Sequence, residues 1–408
     1  MRRAFLFEME DFMAHNISPS KTVALCALTA VTVFTISYIG MERRLESLLP
    51  GYQAEAEIYG KIGEIRRTID AYYVGEYDEQ DAVDMAAAGY VAGIGDRWSS
   101  YMSKESYDEY KLSFSGQSFG IGLFTSYVAD ENQLRIVEVF PGSDGETLGL
   151  QKGDLILGAE GKTMEKDGYN AVVEAIAGDE GTKAQVTIYR TATGQTETVE
   201  MERKTTEQVM ATGWMLEDGK TGMVRIYNFR QGSETQMIDA VDALIEQGAT
   251  QLVFDVRNNP GGSVTSVCDA LDYLLPEGDI MTLRTKGGDE TIYRSDAEEI
   301  NLPMAVLVNA DSISAAEFFA AALQEYDKAI IVGGQTIGKG YSQQNYVLSD
   351  GSALHLSDQE YFTPQGKSLI GIGVTPDVSV DAPEGFDLYF SAPDDDLQLK
   401  AALVALGD

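Results

Sequence analysis

Two histidines and two cysteines serve a chain of 408 residues. That scarcity removes whole classes of chemistry. Cys26 falls inside an apolar run and Cys268 inside an expected helix, without zinc-ligand spacing, so neither a disulfide framework nor a cysteine metal site is expected. With only His15 and His355, a histidine-rich metal site is excluded, and a Ser-His-Asp triad has the single candidate His355. Positive charge is short as well. Thirty Lys and Arg stand against 65 Asp and Glu, for a formal net charge of -35. Phosphate binding needs a basic footprint, so nucleic acid is not an expected partner. The chain has no internal repeat and no low-complexity tract.

One long uncharged apolar run is present. Residues 22–40, Thr22 to Gly40, match the length of a bilayer-spanning helix. A cleaved leader would have a shorter apolar core and an A-x-A-like site. The expectation is a membrane anchor at 22–40 behind a short tail, 1–21, with a buried soluble helix as the alternative. Charge does not orient it: Arg2, Arg3 and Lys21 on one side are opposed by Arg43 and Arg44 on the other.

Three regions follow. Residues 41–114 read as largely helical, with Ile58, Ile62, Ile65 and Ile69 at helical spacing. Residues 115–204 change to short strands and glycine turns, ending in a hairpin of 184–190 with 196–202 around Gly194. Residues 205–380 alternate strands and helices. Strands are expected at 223–228, 251–256, 304–308 and 329–332, and helices at 233–247, 263–275 and 314–326. That order predicts an α/β domain on a mainly parallel sheet, closed by a segment at 381–408.

Ligands of such sheets bind beyond the carboxyl ends of the strands. Two loops lie there: Arg257-Asn-Asn-Pro-Gly-Gly262 and Asn309-Ala-Asp-Ser-Ile-Ser314. Ser314 opens a helix, where free amides and the helix dipole favour developing negative charge. The same Ser314-Ala-Ala-Glu317 also fits a plain capping box. A serine nucleophile needs a base, and with histidine scarce a desolvated lysine can serve. Lys339, between Gly338 and Gly340, is placed to return to the same sheet edge, or else is an ordinary loop lysine. The amides of Gly262 and Ala315 can present donors to an oxyanion, unless the glycines merely form a strand-to-helix turn.

Taken together, Asn309-Ala-Asp-Ser-Ile-Ser-Ala-Ala-Glu-Phe318, Val332-Gly-Gly-Gln-Thr-Ile-Gly-Lys-Gly340 and Asp255-Val-Arg-Asn-Asn-Pro-Gly-Gly262 resemble the motifs of the C-terminal processing peptidases, also called tail-specific proteases. Tyr361-Phe-Thr-Pro-Gln-Gly-Lys367, Gly373-Val-Thr-Pro-Asp-Val378 and Asp96-Arg-Trp-Ser-Ser-Tyr101 extend the resemblance over most of the chain after residue 55. It implies that Ser314 is the nucleophile, Lys339 the base and Gln343 the residue that orients the lysine, with Gly262 and Ala315 as the oxyanion hole. It implies no metal and no cofactor. Phe119-Gly-Ile-Gly-Leu123 resembles the carboxylate-binding loop of a PDZ domain, so Gly120, Ile121, Gly122 and Leu123 are expected to grip a substrate's terminal carboxylate. The implied partners are proteins or peptides with accessible apolar C-termini. The implied location is outside the cytoplasm, on a single-pass membrane anchor, and self-association stays open. Asp311 and Ile313 depart from the family's usual glycine and alanine. They keep a second reading in play, a catalytically weak peptide-binding scaffold. A third, a Ser-Lys acyltransferase of the penicillin-binding kind, lacks its companion motifs.

Overall fold

The computed structural model describes residues 19–407. Within the first helix it describes side chains at Val23, at 28–41 and from Tyr59 onward. The tail expected at 1–21 therefore lies almost wholly outside the described residues. The chain divides into two compact units, 1–79 and 80–408. The first unit is dominated by one long helix, Pro19–Tyr72. Its described side chains Val31, Val33, Phe34 and Ile36 are exposed. Among the described residues no helix is long and apolar enough to cross a membrane. The described residues thus do not show the anchor expected at 22–40: the helix runs through that stretch into the charged positions of Lys61, Glu64, Arg66 and Arg67, and side chains 24–27 lie outside those described.

In the second unit the alternating region 205–380 forms a six-stranded sheet. Its order is Ala211–Met215, Thr221–Ile226, Gln251–Asp255, Met304–Val308, Ala329–Gly333 and Val378–Ser379. The first pair is antiparallel and every later pair parallel. The strands read as near-continuous apolar runs because both faces are covered. Successive residues point to opposite faces. Val224, Phe254, Val306 and Val308 pack with the helices Ser233–Glu246, Val264–Leu274 and Ala315–Glu325. Met223, Val253, Ala305 and Leu307 pack on the other face against Leu399 and Ala402 of the C-terminal helix, Leu397–Ala405.

A buried ion network ties that C-terminal segment to the sheet. Asp255 accepts from Arg225 and Arg257 at 2.8 Å, and Arg257 also donates to Asp396 at 2.7 Å and Gln398 at 2.9 Å. Burial alone would raise the Asp255 pKa. The charges of Arg257 and Arg225 and their hydrogen bonds reverse this and hold its carboxyl well below the usual range. A depressed carboxyl pKa contributes stability that is present above the unfolded value and lost as acid protonates the folded one. Removing one partner leaves buried charge without compensation. Asp255→Ala is therefore expected to cost about 3–5 kcal/mol, read by urea unfolding at neutral pH.

The region 115–204 is a separate antiparallel sheet ordered Leu123–Val128, Gln133–Val139, Leu155–Ala159, Lys183–Arg190 and Gln195–Glu202. Its core gathers Ile121, Leu134, Ile136, Ile156, Val186 and Ile188 with Val172 of the helix Gly168–Ile176. Two strands, Gln117–Gly120 and Lys204–Glu207, pair with each other where the chain enters and leaves this region.

A further sheet lies mostly outside the strands expected from sequence, which there included only a strand-like run around His355. Ser100–Met102, Ala353–Phe362, Gly278–Thr285 and Glu290–Ser295 are joined in that order, and Tyr341–Val347 also pairs with Ala353–Phe362. This sheet supplies one wall of the cavity described next.

Candidate active site

The loops after the strands Gln251–Asp255 and Met304–Val308 meet, because their asparagines cross-link them. Asn309 Nδ2 donates to Asn258 Oδ1 at 2.7 Å, and Asn258 N–H donates to Asn309 Oδ1 at 3.1 Å. Ile313 N–H donates to Asn259 O at 2.9 Å. The two serines of the second loop have different fates. Ser312 is fully buried and its hydroxyl donates to Val256 O at 2.8 Å, so it is structural. Ser314 is half-buried and lines a cavity of about 410 Å³.

Ser314 stands at the N-terminus of the helix Ala315–Glu325 with φ 58° and ψ -115°. A non-glycine residue in this region carries about 1–3 kcal/mol of strain and needs its surroundings to hold it. They do. Ser314 N–H donates to Glu317 Oε2 at 2.9 Å, and Phe318 N–H donates to Ser314 O at 2.9 Å. Gly261 presses on the turn with φ 94°: a Cβ there would lie 2.7 Å from Ile313 O and 3.0 Å from Ala315 N, so only glycine fits. At Gly262 a Cβ would collide with the main chain of Phe229. Neither Gly262 nor Ala315 donates its N–H in any hydrogen bond among the described residues. Both residues line the cavity with Ser314, and an oxyanion hole is built from such free backbone donors.

Lys339 lies on the same cavity. Its flanking glycines let the loop lie against residues 370–372. A Cβ at Gly338 would come within 2.8 Å of Gly371 N, and one at Gly340 within 2.7 Å of Ile370 N. The Lys339 Nζ sits 4.8 Å from the Trp98 ring centre. Burial lowers its pKa to about 8, against the opposing charges of Asp96 and Glu317. Burial disfavours the ammonium, which is how a lysine becomes a base near neutrality. Asp311 is exposed and is not among the groups that shift Lys339.

Sequence reasoning gave Glu317 only a capping role. The structure places its fully buried carboxylate between both candidate catalytic loops. Besides Ser314 N–H, it accepts from Lys339 N–H at 2.9 Å, Gly338 N–H at 2.6 Å and the Thr336 hydroxyl at 2.6 Å. Tyr361, also buried, donates its hydroxyl to Lys339 O. Asp96 and Trp98 entered the sequence reading only through a resemblance of their segment. No local pattern could have assigned them to a lysine more than 200 residues away.

Gln343 lines the cavity, and its amide donates to Tyr341 O at 2.9 Å and Ser357 Oγ at 3.2 Å. No hydrogen bond joins it to Lys339 among the described residues. His355 also lines the cavity. Its Nδ1 lies 2.8 Å from Asn345 Oδ1, and burial followed by the Lys339 charge lowers its pKa. Of the residues expected to grip a carboxylate, Gly120 ends the strand Gln117–Gly120, Ile121 is buried, Gly122 O accepts from Phe140 N–H at 2.9 Å, and Leu123 opens the edge strand of its sheet.

A serine, two free amides and a desolvated lysine around one cavity, at the carboxyl ends of parallel strands, are the parts of a serine hydrolase. Residues 220–380 match the model of Peptidase family S41. A "Probable CtpA-like serine protease" of Staphylococcus aureus strain MSSA476 is 28% identical over 390 residues, covering 93% of this chain and 77% of that protein. A protein of the same name from Staphylococcus saprophyticus is 26% identical over 357 residues, covering 85% and 72%. An S41-type crystal structure from Bacteroides fragilis NCTC 9343 shares the fold, with a TM-score of 0.56 at 19% identity, covering 82% of this chain and 92% of that one. The S41 match covers the sheet and loops that carry this cavity, and the similarity to CtpA-like serine proteases extends over 93% of the chain.

Proposed function

We propose that the protein is a serine endopeptidase in which Lys339 takes the proton of Ser314. The serine oxygen then attacks a peptide carbonyl, and the N–H groups of Gly262 and Ala315 hold the resulting oxyanion. The tetrahedral adduct collapses to an acyl-enzyme as the amine leaves with a proton from Lys339. Water hydrolyses the ester and returns Ser314. The observation that carries this reading is the meeting of strained Ser314 with a lysine whose pKa lies at about 8 on one cavity. Val264, Val267, Met281, Leu283 and Phe318 supply an apolar wall, which favours an apolar side chain beside the scissile bond.

Region 115–204 acts in this proposal as a PDZ-like tail reader. The strand Leu123–Val128 pairs on one side only among the described residues, and such an edge can take an extended peptide as an added strand. The apolar run 22–40 serves as the extracytoplasmic enzyme's membrane anchor. That part rests on the exposed side chains of Val31, Val33, Phe34 and Ile36, and carbonate-resistant membrane sedimentation of the full chain tests it.

The protein should cut a substrate bearing an unstructured apolar C-terminal tail. Ser314→Ala should reduce cutting to background while the tail still binds. Cutting retained by Ser314→Ala would sink the mechanism. Binding without cutting by the unaltered chain would favour the scaffold reading.

A further inference from the structure

The catalytic cavity holds a second cationic side chain. Arg230 follows Phe229, whose backbone bridges Gly262 of the oxyanion loop, and it lines the cavity with Ser314, Lys339 and Tyr110. It is half-buried. Its only side-chain hydrogen bond among the described residues runs from Nη1 to Gln208 Oε1 at 3.0 Å. No carboxylate among the described residues lies within ion-pair distance of it. The fully buried arginines differ: Arg225 and Arg257 are ion-paired to Asp255, and Arg203 to Glu160.

A guanidinium carries five N–H donors in a rigid fork that matches a carboxylate. A partly buried one left without an anion is costly unless a ligand completes it. In a chain of net charge -35, leaving this cation unpaired beside the nucleophile is the opposite of what composition favours. Burial works on the Arg230 guanidinium without a compensating carboxylate.

Resting on the proteolytic reading, we propose that Arg230 is an anion subsite of the cavity, binding a carboxylate of the peptide undergoing cleavage. That carboxylate belongs either to the peptide's own C-terminus or to an acidic side chain near the scissile bond.

The test compares the full chain with Arg230→Met and Arg230→Lys on three apolar peptides of one sequence. The first has a free C-terminal carboxylate, the second a C-terminal amide, and the third a C-terminal amide with one Glu near the cleavage site. Arg230→Met is expected to lower kcat/KM about tenfold or more on a carboxylate-bearing peptide and little on the neutral amide. Arg230→Lys should recover part of the loss. Loss on the first peptide identifies the terminal carboxylate, and loss on the third identifies the side chain. The PDZ-like loop is unaltered in both variants, so a change in the ratio between peptides reports Arg230 alone. Equal losses on charged and neutral peptides, or none, would overturn the subsite and leave the protease standing. Failure of the unaltered chain to cut any of the three would overturn the proteolytic reading itself.

Discussion

Lys339→Ala is expected to lower kcat/KM by about 100- to 10,000-fold, the range lost when a general base is removed. In the unaltered protein, the rate should follow the neutral fraction of Lys339. With its pKa lowered to about 8 by burial, the lysine is protonated below that pH and cannot accept the Ser314 proton. Activity should therefore rise about tenfold per pH unit from pH 6 and level off above about 8. The sign separates the two bases available in the cavity. Burial and the Lys339 charge hold His355 below its ordinary value of 6.5, so a histidine-driven enzyme would have its midpoint below 6.5 and be near its plateau by pH 8. A steady-state pH profile from 5.5 to 9.5 distinguishes the two.

The second large effect is expected at Glu317. Its carboxylate collects four donors from the nucleophile and lysine loops. Glu317→Ala would leave buried N–H groups without acceptors, each costing about 1–3 kcal/mol. A misplacement of about 1 Å between reacting groups costs about 100-fold in rate. The variant should be less stable and at least that much slower. A purely structural role would end there. Because the Glu317 charge raises the Lys339 pKa, Glu317→Gln should also move the midpoint of the pH profile below 8. That shift, measured beside thermal unfolding, separates positioning of the lysine from support of the fold.

The alternation of strand and helix between 221 and 332 was legible because each strand is a short apolar run bounded by turn residues. The meeting of Ser314 and Lys339 on one cavity was legible because each sits in a loop just past such a strand, in motifs that resemble a known family. The sheet built on Ala353–Phe362 was not. Its residues are almost all half-buried, so neither a buried run nor a clean alternation marks it. It brings His355 and Tyr361 into the cavity. Glu317 was hidden for another reason. A glutamate three residues after a helix cap has a sufficient local explanation, and its bonds to residues 336–339 exist only after folding. Asp96, Trp98 and Arg230 share that obscurity, since their roles are set by tertiary neighbours rather than local spacing. The apolar run at 22–40 shows the converse. It is conspicuous in sequence, yet among the described residues no helix is long and apolar enough to cross a membrane.

The central claim, that Ser314 is activated by Lys339, can be tested without knowing a substrate. A fluorophosphonate probe reacts with an activated serine, and mass spectrometry locates the label. The account predicts modification at Ser314, at a rate that rises to a plateau near pH 8 and collapses in Lys339→Ala. Labelling at another residue would contradict it. So would a Ser314 rate with a midpoint below 6.5 that survives Lys339→Ala, a result that would hand the role of base to His355.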